Sequence, residues 1–467
     1  MVSDRKAKQI FVLFFIFVLV SVLLIQSAIS SEPKTMKTGN VTQLWKFPIV
    51  GSVCNSPVVK DGFVYVTASY VGSSITYGYC LNASTGSTAW NYTTNTYYYF
   101  PMVVDEGITQ KLHRNGSKNM TFYAINATTG EEIWNTTKYA WLQSIAGGYL
   151  YLGDACFNAT TGTKIWEYPT EGAILQPVIA GDLVYIKGQV SNDTSEDILY
   201  CLDAKTGTYM WNYTNSESFS LFGFVDNQIF VSYNDEDTPN SVLGNVIALS
   251  ALNGNEIWNY TFQNSTVHNI EIANGSLYIR TNNIVHTLNA STGFDKWIYD
   301  PPEEHEPKGL VVANSSVYVS YGDSLHCLNA STGDTKWTRT DVDVSYGFYV
   351  FGDEVYFGTE GERRGRGEYR DSDLSTLYCL DAHTGTQIFN YTINGDPWDM
   401  VMVDGILYVG ADYPFMYPVP ETGYVYALKP TIDSIPEFPS WTILPLVLTI
   451  TLFSVMVKRK LHKAKVS

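Results

Sequence analysis

The chain has little charge, less of it basic, and few cysteines. Only 16% of its 467 residues are Asp, Glu, Lys or Arg, against the quarter usual in globular proteins. Its 29 basic residues face 46 acidic ones. A surface so poor in Lys and Arg excludes nucleic acid as a partner, because neutralising phosphates needs clustered cations. The six cysteines include no adjacent pair, and neither EF-hand spacing nor a lipobox occurs. With 45% apolar and 14% aromatic residues, the sequence is not disordered and has ample material for a large core.

The formal charge of −17 is unevenly spread. Residues 1–30 carry a net +2 and residues 440–467 a net +5, leaving −24 on the body between them. Both basic ends flank hydrophobic runs. Ile10 to Ile25 is apolar apart from Ser21, and Ala28-Ile29-Ser30 follows in the small-residue pattern of a cleavage site. A secretion signal over 1–30 is the expectation, with an uncleaved anchor as the alternative. Near the other end, Trp441 to Val457 is long enough for a short membrane span. Its basic tail, 458–467, should stay cytoplasmic and leave the body outside the cell membrane. Residues 431–440 read as a proline-containing spacer. Within it, IPEFPSW (Ile435 to Trp441) resembles the PEF-type sorting signals of archaeal surface proteins, a resemblance that implies an archaeal cell surface and processing of the tail.

Between the ends one unit recurs. YCLNASTGSTAW ends at Trp90, and related segments end at Trp134, Trp166, Trp211, Trp258, Trp297, Trp337 and Phe389. Their glycines, Gly86 to Gly385, are spaced by 32 to 52 residues. Alternating residues before each glycine form a strand, an Asn or Asp caps the turn with its side chain, and a second strand delivers the indole. A further hairpin precedes most copies, as with FVYV after Asp61-Gly62, while the copy after Glu106-Gly107 is degraded. Two hairpins make a four-stranded antiparallel sheet, the size of one propeller blade. Leu44-Trp45-Lys46-Phe47 reads as an outermost strand without a blade, and Thr422 to Lys429 as a third strand without a fourth. Joined, they close the ring and remove its open edges.

These units resemble the PQQ-type β-propeller repeat, over roughly residues 41–430. The resemblance implies an all-β fold, a single closed propeller with tryptophans docked between blades, usually seven or eight around a channel. The repeat count here gives nine, and a hydrophobic helix is expected on either side of the propeller. The dehydrogenases of that family use PQQ with calcium and a disulfide between adjacent cysteines. This chain has no such pair, so the cofactor is not expected.

Cys80, Cys156, Cys201, Cys327 and Cys379 share one repeat slot, filled elsewhere by Ala124, Ala248 and Thr287. They are expected to be small core residues rather than disulfides. Seventeen Asn-x-Ser/Thr sequons lie between the hydrophobic ends. One set sits at the turn (Asn82, Asn126, Asn158, Asn289, Asn329). A second follows the aromatic (Asn91, Asn135, Asn212, Asn259, Asn390), and this second set is the expected site of glycosylation.

No catalytic constellation stands out. His113, His268, His305 and His383 are scattered, and His286 and His326 replace a repeat tyrosine. The acidic stretches 301–308 and 235–237 read as solvated loops. The only basic cluster on the body is Arg363, Arg364, Arg366 and Arg370, a candidate contact for an envelope protein or glycan. The sequence thus points to a membrane-anchored, extracellular, non-enzymatic binding scaffold. A quinoprotein-like oxidoreductase and an envelope assembly factor are the alternatives.

Overall fold

A computed structural model describes residues 35–436, apart from short stretches at 54–55, 70–72, 96–103, 106, 116–118, 139–142, 171–176, 190–195, 236–241, 283, 302–306, parts of 341–346, 360–373 and 413–421. The chain divides into two compact units, residues 40–431 and the two ends, 1–39 with 432–467. Of the end unit, the described residues are extended strand at 35–39 and 432–436. Both hydrophobic segments lie outside the described residues. No described helix is long and apolar enough to cross a membrane.

The described residues form nine antiparallel sheets, the blades of a propeller. Blade 1 is built from both ends of the chain. Asp396–Val403, Ile406–Asp412 and Thr422–Pro436 supply its first three strands, and Thr35–Val50 the fourth. The expected closure is therefore present. The last strand runs to Pro436, so the first six residues assigned to a spacer belong to a strand instead. Val425 and Ala427, within the stretch expected to be the third strand, are fully buried at the joint with blade 2.

Blade 2 runs from Ser52–Val53 and Val58–Lys60, which pair with the same second strand, to Thr88–Asn95. Blade 3 shows three strands among the described residues, from Ile108–Asn115 to Glu132–Lys138. Blades 4 to 9 each have four, and follow in chain order up to Gln387–Asn394. The closely spaced repeat ending at Trp166 and the degraded copy both form sheets, so the count is nine rather than the family's seven or eight.

In every blade from 2 to 9 a small residue on the third strand lies across from the aromatic on the fourth. Cys80 faces Trp90, Ala124 faces Trp134, Thr287 faces Trp297 and Cys379 faces Phe389. A register shift follows directly after that small residue each time, as between Cys80 and Leu81 or between Cys201 and Leu202. A bulge of this kind adds twist, and the small side chain leaves room for the large ring. All five described cysteines are free and buried. Burial pushes the Cys80 and Cys156 thiols up to about 12, so they are inert.

Candidate functional site

Chemistry that a sequence reader would assign to function is used here to hold blades together. Each of the eight indoles reaches across to the next blade. Trp45, Trp90, Trp134 and Trp166 donate their Nε1–H to the carbonyls of Ala83, Ala127, Ala159 and Ala204. Trp211, Trp258, Trp297 and Trp337 do the same to Ala251, Ala290, Ala330 and Ala382, and all eight bonds span 2.8–3.0 Å. At several joints a tyrosine from the donor blade's second strand shares the carbonyl, as Tyr318 does with Ala382 at 3.1 Å.

The receiving turn is shaped for the indole. At Gly254 the backbone has φ +73°, and an added Cβ would lie 2.6 Å from Trp211 Cε3. The same geometry recurs where each indole lands. The turn itself is held by the expected cap: Asn82 Oδ1 accepts the N–H groups of Ser84 and Thr85, both at 3.0 Å. Asp203 and Asp381 do likewise for their own turns. Blade 6 carries Ser250 in that slot and lacks this cap.

Phe389 is the exception to the indole rule, and the topology explains it. It points toward blade 1, whose third and fourth strands come from opposite ends of the chain. There is no turn to offer a carbonyl, so an indole N–H would have no partner. Phe389 is 6% exposed and fills the slot without a donor. Other groups secure that joint. Lys46 lies 3.6 Å from the Tyr424 ring centroid and donates to Asn394 Oδ1 at 2.7 Å. Ser375 donates to the buried Asp396. Tyr391 donates to Gln43 Oε1 at 3.4 Å.

Two polar clusters would attract a search for catalysis. Ser324 and His326 are buried, with His326 Nε2 2.7 Å from Ser324 Oγ. The Ser324 hydroxyl donates its proton to the Tyr321 carbonyl, and Tyr299 OH lies 2.8 Å from His326 Nδ1. Nε2 therefore carries the ring proton and gives it to Ser324, which is opposite to the role of a base activating a nucleophile. The second cluster is an ion pair at the joint of blades 5 and 6. Lys187 Nζ lies 2.6 Å from Asp197 Oδ2, which also accepts Ser218 Oγ at 2.8 Å and Phe219 N at 3.0 Å. Nothing in the sequence pattern announced this pair.

The remaining histidines are scattered, as expected. His268 and His383 are exposed and bond Asn282 and Asp353. His286 packs edge-on against Phe262 at 4.7 Å, and burial lowers its pKa. His113 lines a cavity between blades 2 and 3. His305 and the four arginines Arg363, Arg364, Arg366 and Arg370 lie outside the described residues.

A half-buried ion cluster bridges blades 3 and 4. Lys138 contacts Glu167 and Asp154, each at 2.5 Å, and Lys164 adds a second bond to Glu167 at 2.6 Å. The hydrogen bonds from Lys138 and Lys164 push the Glu167 carboxyl down to about 2. A carboxyl depressed in the folded state contributes stability above its unfolded pKa, and that contribution is lost as pH falls through the folded value. Glu167 should thus support the joint fully above about pH 4.5 and release it progressively toward pH 2. Carboxyl NMR should give a Glu167 midpoint below 3, and Lys138→Met should move it up toward an ordinary glutamate.

Among the described residues no three His, Cys, Asp or Glu side chains come together as metal ligands. The five thiols sit one per blade, each buried opposite an aromatic. This donor set does not fit PQQ held with calcium beside a vicinal disulfide, and no redox step is assigned through that group.

Two open cavities are present among the described residues. One, of about 490 Å³, lies where the first strands of blades 6 and 7 meet and is lined by Phe224 and Glu271 among others. The other, of about 380 Å³, lies between blades 2 and 3.

Nine sheets joined by indole clamps define a PQQ-type repeat β-propeller. A family model described as outer membrane protein assembly factor BamB matches residues 35–213 and 217–307. That is more than half of the chain, which therefore belongs to this family. BamB from Moraxella catarrhalis is 17% identical with a TM-score of 0.46, over 84% of this chain and 98% of that one. The computationally designed Ika8 protein is 12% identical with a TM-score of 0.52, over 82% and 99%. The quinohemoprotein alcohol dehydrogenase of Comamonas testosteroni is 14% identical with a TM-score of 0.47, over 86% and 78%. At such identities the likeness concerns the fold alone. No curated protein matches the sequence.

Proposed function

We propose that this chain is a membrane-anchored, extracellular binding platform, a rigid ring that holds other envelope molecules rather than transforming them. The observation that carries this reading is the use made of its reactive side chains. The buried thiols face aromatics, the Ser324–His326 pair is wired into the backbone, and the clamps lock eight of nine joints. The hydrophobic ends with basic flanks support an anchor, with the C-terminal tail cytoplasmic. The arginine cluster 363–370 supports an anionic partner, an envelope protein or glycan. Family membership favours a second reading, a factor that docks other proteins during envelope assembly; both readings need a surface and no catalysis.

The test is fractionation of cells expressing the full chain. The account expects protein in the membrane fraction, its body cleaved by protease added to intact cells, and release when residues 441–467 are deleted. A body shielded from protease in intact cells would overturn it.

Glycosylation belongs to the same proposal, and the two sequon sets differ in structure. Asn91, Asn135, Asn212, Asn259 and Asn390 are exposed on outermost strands, whereas the five turn asparagines are half-buried with their oxygens holding the turn. Glycans on outermost strands would also block pairing between sheet edges. Glycopeptide mass spectrometry should find higher occupancy at the five exposed sites than at the turns.

A further inference from the structure

The second strands of blades 2 to 9 can be superposed through one backbone bond, the N–H of the turn alanine to the residue before that strand. Ala83 N donates to Gly62 O and Ala127 N to Gly107 O, both at 2.9 Å. Counting from that anchor, the fourth residue is apolar and at most 2% exposed in every blade but one. Val66, Ile186, Val231 and Val319 are examples, and blade 1 conforms with Val409 after Gly405. In blade 3 the slot holds Lys111. Two residues earlier, where other blades have Val64, Val184 or Leu277, it holds Thr109. Thr109 is fully buried, and its hydroxyl has no hydrogen-bond partner among the described residues. Two residues later stands His113. Alternation along a strand puts all three on one face, the face turned to blade 2.

Placing a buried hydroxyl and a half-buried ammonium in slots that eight blades keep apolar costs stability. A local rule broken on one face of one blade is where function is expected. The chemistry there is coherent. The Lys111 ammonium lies 5.7 Å from the Tyr92 ring centroid and 5.4 Å from that of Tyr123, one ring from each blade. Among the described residues no carboxylate pairs with it, although the body is strongly acidic. Aromatic faces hold the cation without neutralising it. His113 Nδ1 lies 3.3 Å from Thr94 Oγ1. The cavity of about 380 Å³ opens beside these groups, and Thr94 of blade 2, on the same strand face as Tyr92, lines it too.

We infer that the joint between blades 2 and 3 binds a small sugar bearing a carboxylate. Lys111 takes the carboxylate, His113 and Thr94 face the hydroxyls, and Tyr123 offers a ring edge to the sugar. The volume suits one monosaccharide. This inference stands apart from the anchoring proposal, since binding by the solubilised chain does not depend on where the chain resides.

The test is calorimetric titration of the full-length protein with D-glucuronate, and with D-glucose as the uncharged counterpart. Lys111→Met is a suitable variant because it restores the apolar slot of the other blades and should fold at least as well. The expected result is saturable glucuronate binding, weakened about tenfold or more by Lys111→Met, with glucose at least as much weaker. A thermal melt of the variant matching or exceeding the wild type shows that the loss is not unfolding. Absence of glucuronate binding, an unchanged affinity in Lys111→Met, or equal binding of glucose would each overturn the inference.

Discussion

Trp211→Ala should lower the unfolding free energy by about 3–5 kcal/mol, as expected for truncating a well-packed buried indole. Trp211 is 5% exposed, donates to Ala251 O at 2.8 Å and packs 5.9 Å from Tyr185. Trp211→Phe keeps most of the packing and loses the donor, so its cost should be nearer 1–2 kcal/mol. Gly254→Ala attacks the same joint from the other side, forcing a Cβ against the ring and straining a positive φ. Because both changes act on one contact, they should not add: Gly254→Ala should cost less once Trp211 is gone. Phe389→Trp should bring no gain, since blade 1 has no turn carbonyl to receive its N–H. Urea unfolding midpoints, with the slope checked for constancy, measure all four. A Trp211→Phe variant as stable as the wild type would show that the indole hydrogen bond has been misread.

The second large effect lies in the ion pair between blades 5 and 6. Lys187→Met removes the cation and leaves Asp197, 1% exposed, with a buried charge. Breaking a buried pair in this way costs about 3–5 kcal/mol. Replacing both partners, as Lys187→Met with Asp197→Leu, should recover much of the loss. Recovery will be incomplete, because Ser218 Oγ and Phe219 N also donate to Asp197, and an unpaired buried donor costs about 1–3 kcal/mol. The reading fails if the double variant is less stable than Lys187→Met alone in the same urea titration.

The parts of this fold that were legible in the sequence are those written locally. The turn from Asn82 to Gly86 and the indole at Trp90 lie within one hairpin, so eight copies reveal themselves by repetition. Closure was legible because Leu44 to Phe47 and Thr422 to Lys429 are fragments of the same unit, each lacking the other. What could not be read is set between blades. No local pattern links Trp211 to Ala251, 40 residues on. Lys187 and Asp197 look like ordinary surface charges until Phe219 of the next blade covers them. The Lys111 site did leave a trace, the degraded copy after Gly107, but its meaning required aligning second strands through the Ala127–Gly107 bond. The strand end at Pro436 was missed because residues 431–436 end in a proline and carry no repeat signature.

The central claim is that both ends of the propeller meet in one blade. Double electron–electron resonance between nitroxides at Gln43 and Asn390, both exposed, tests it directly. Tyr391, next to Asn390, contacts Gln43 across the joint of blades 9 and 1. Packed sheets lie about 10 Å apart, so a closed ring predicts a single distance population within about 20 Å. An open row of nine sheets would instead separate the labels by roughly 80 Å, and a population there would contradict the account.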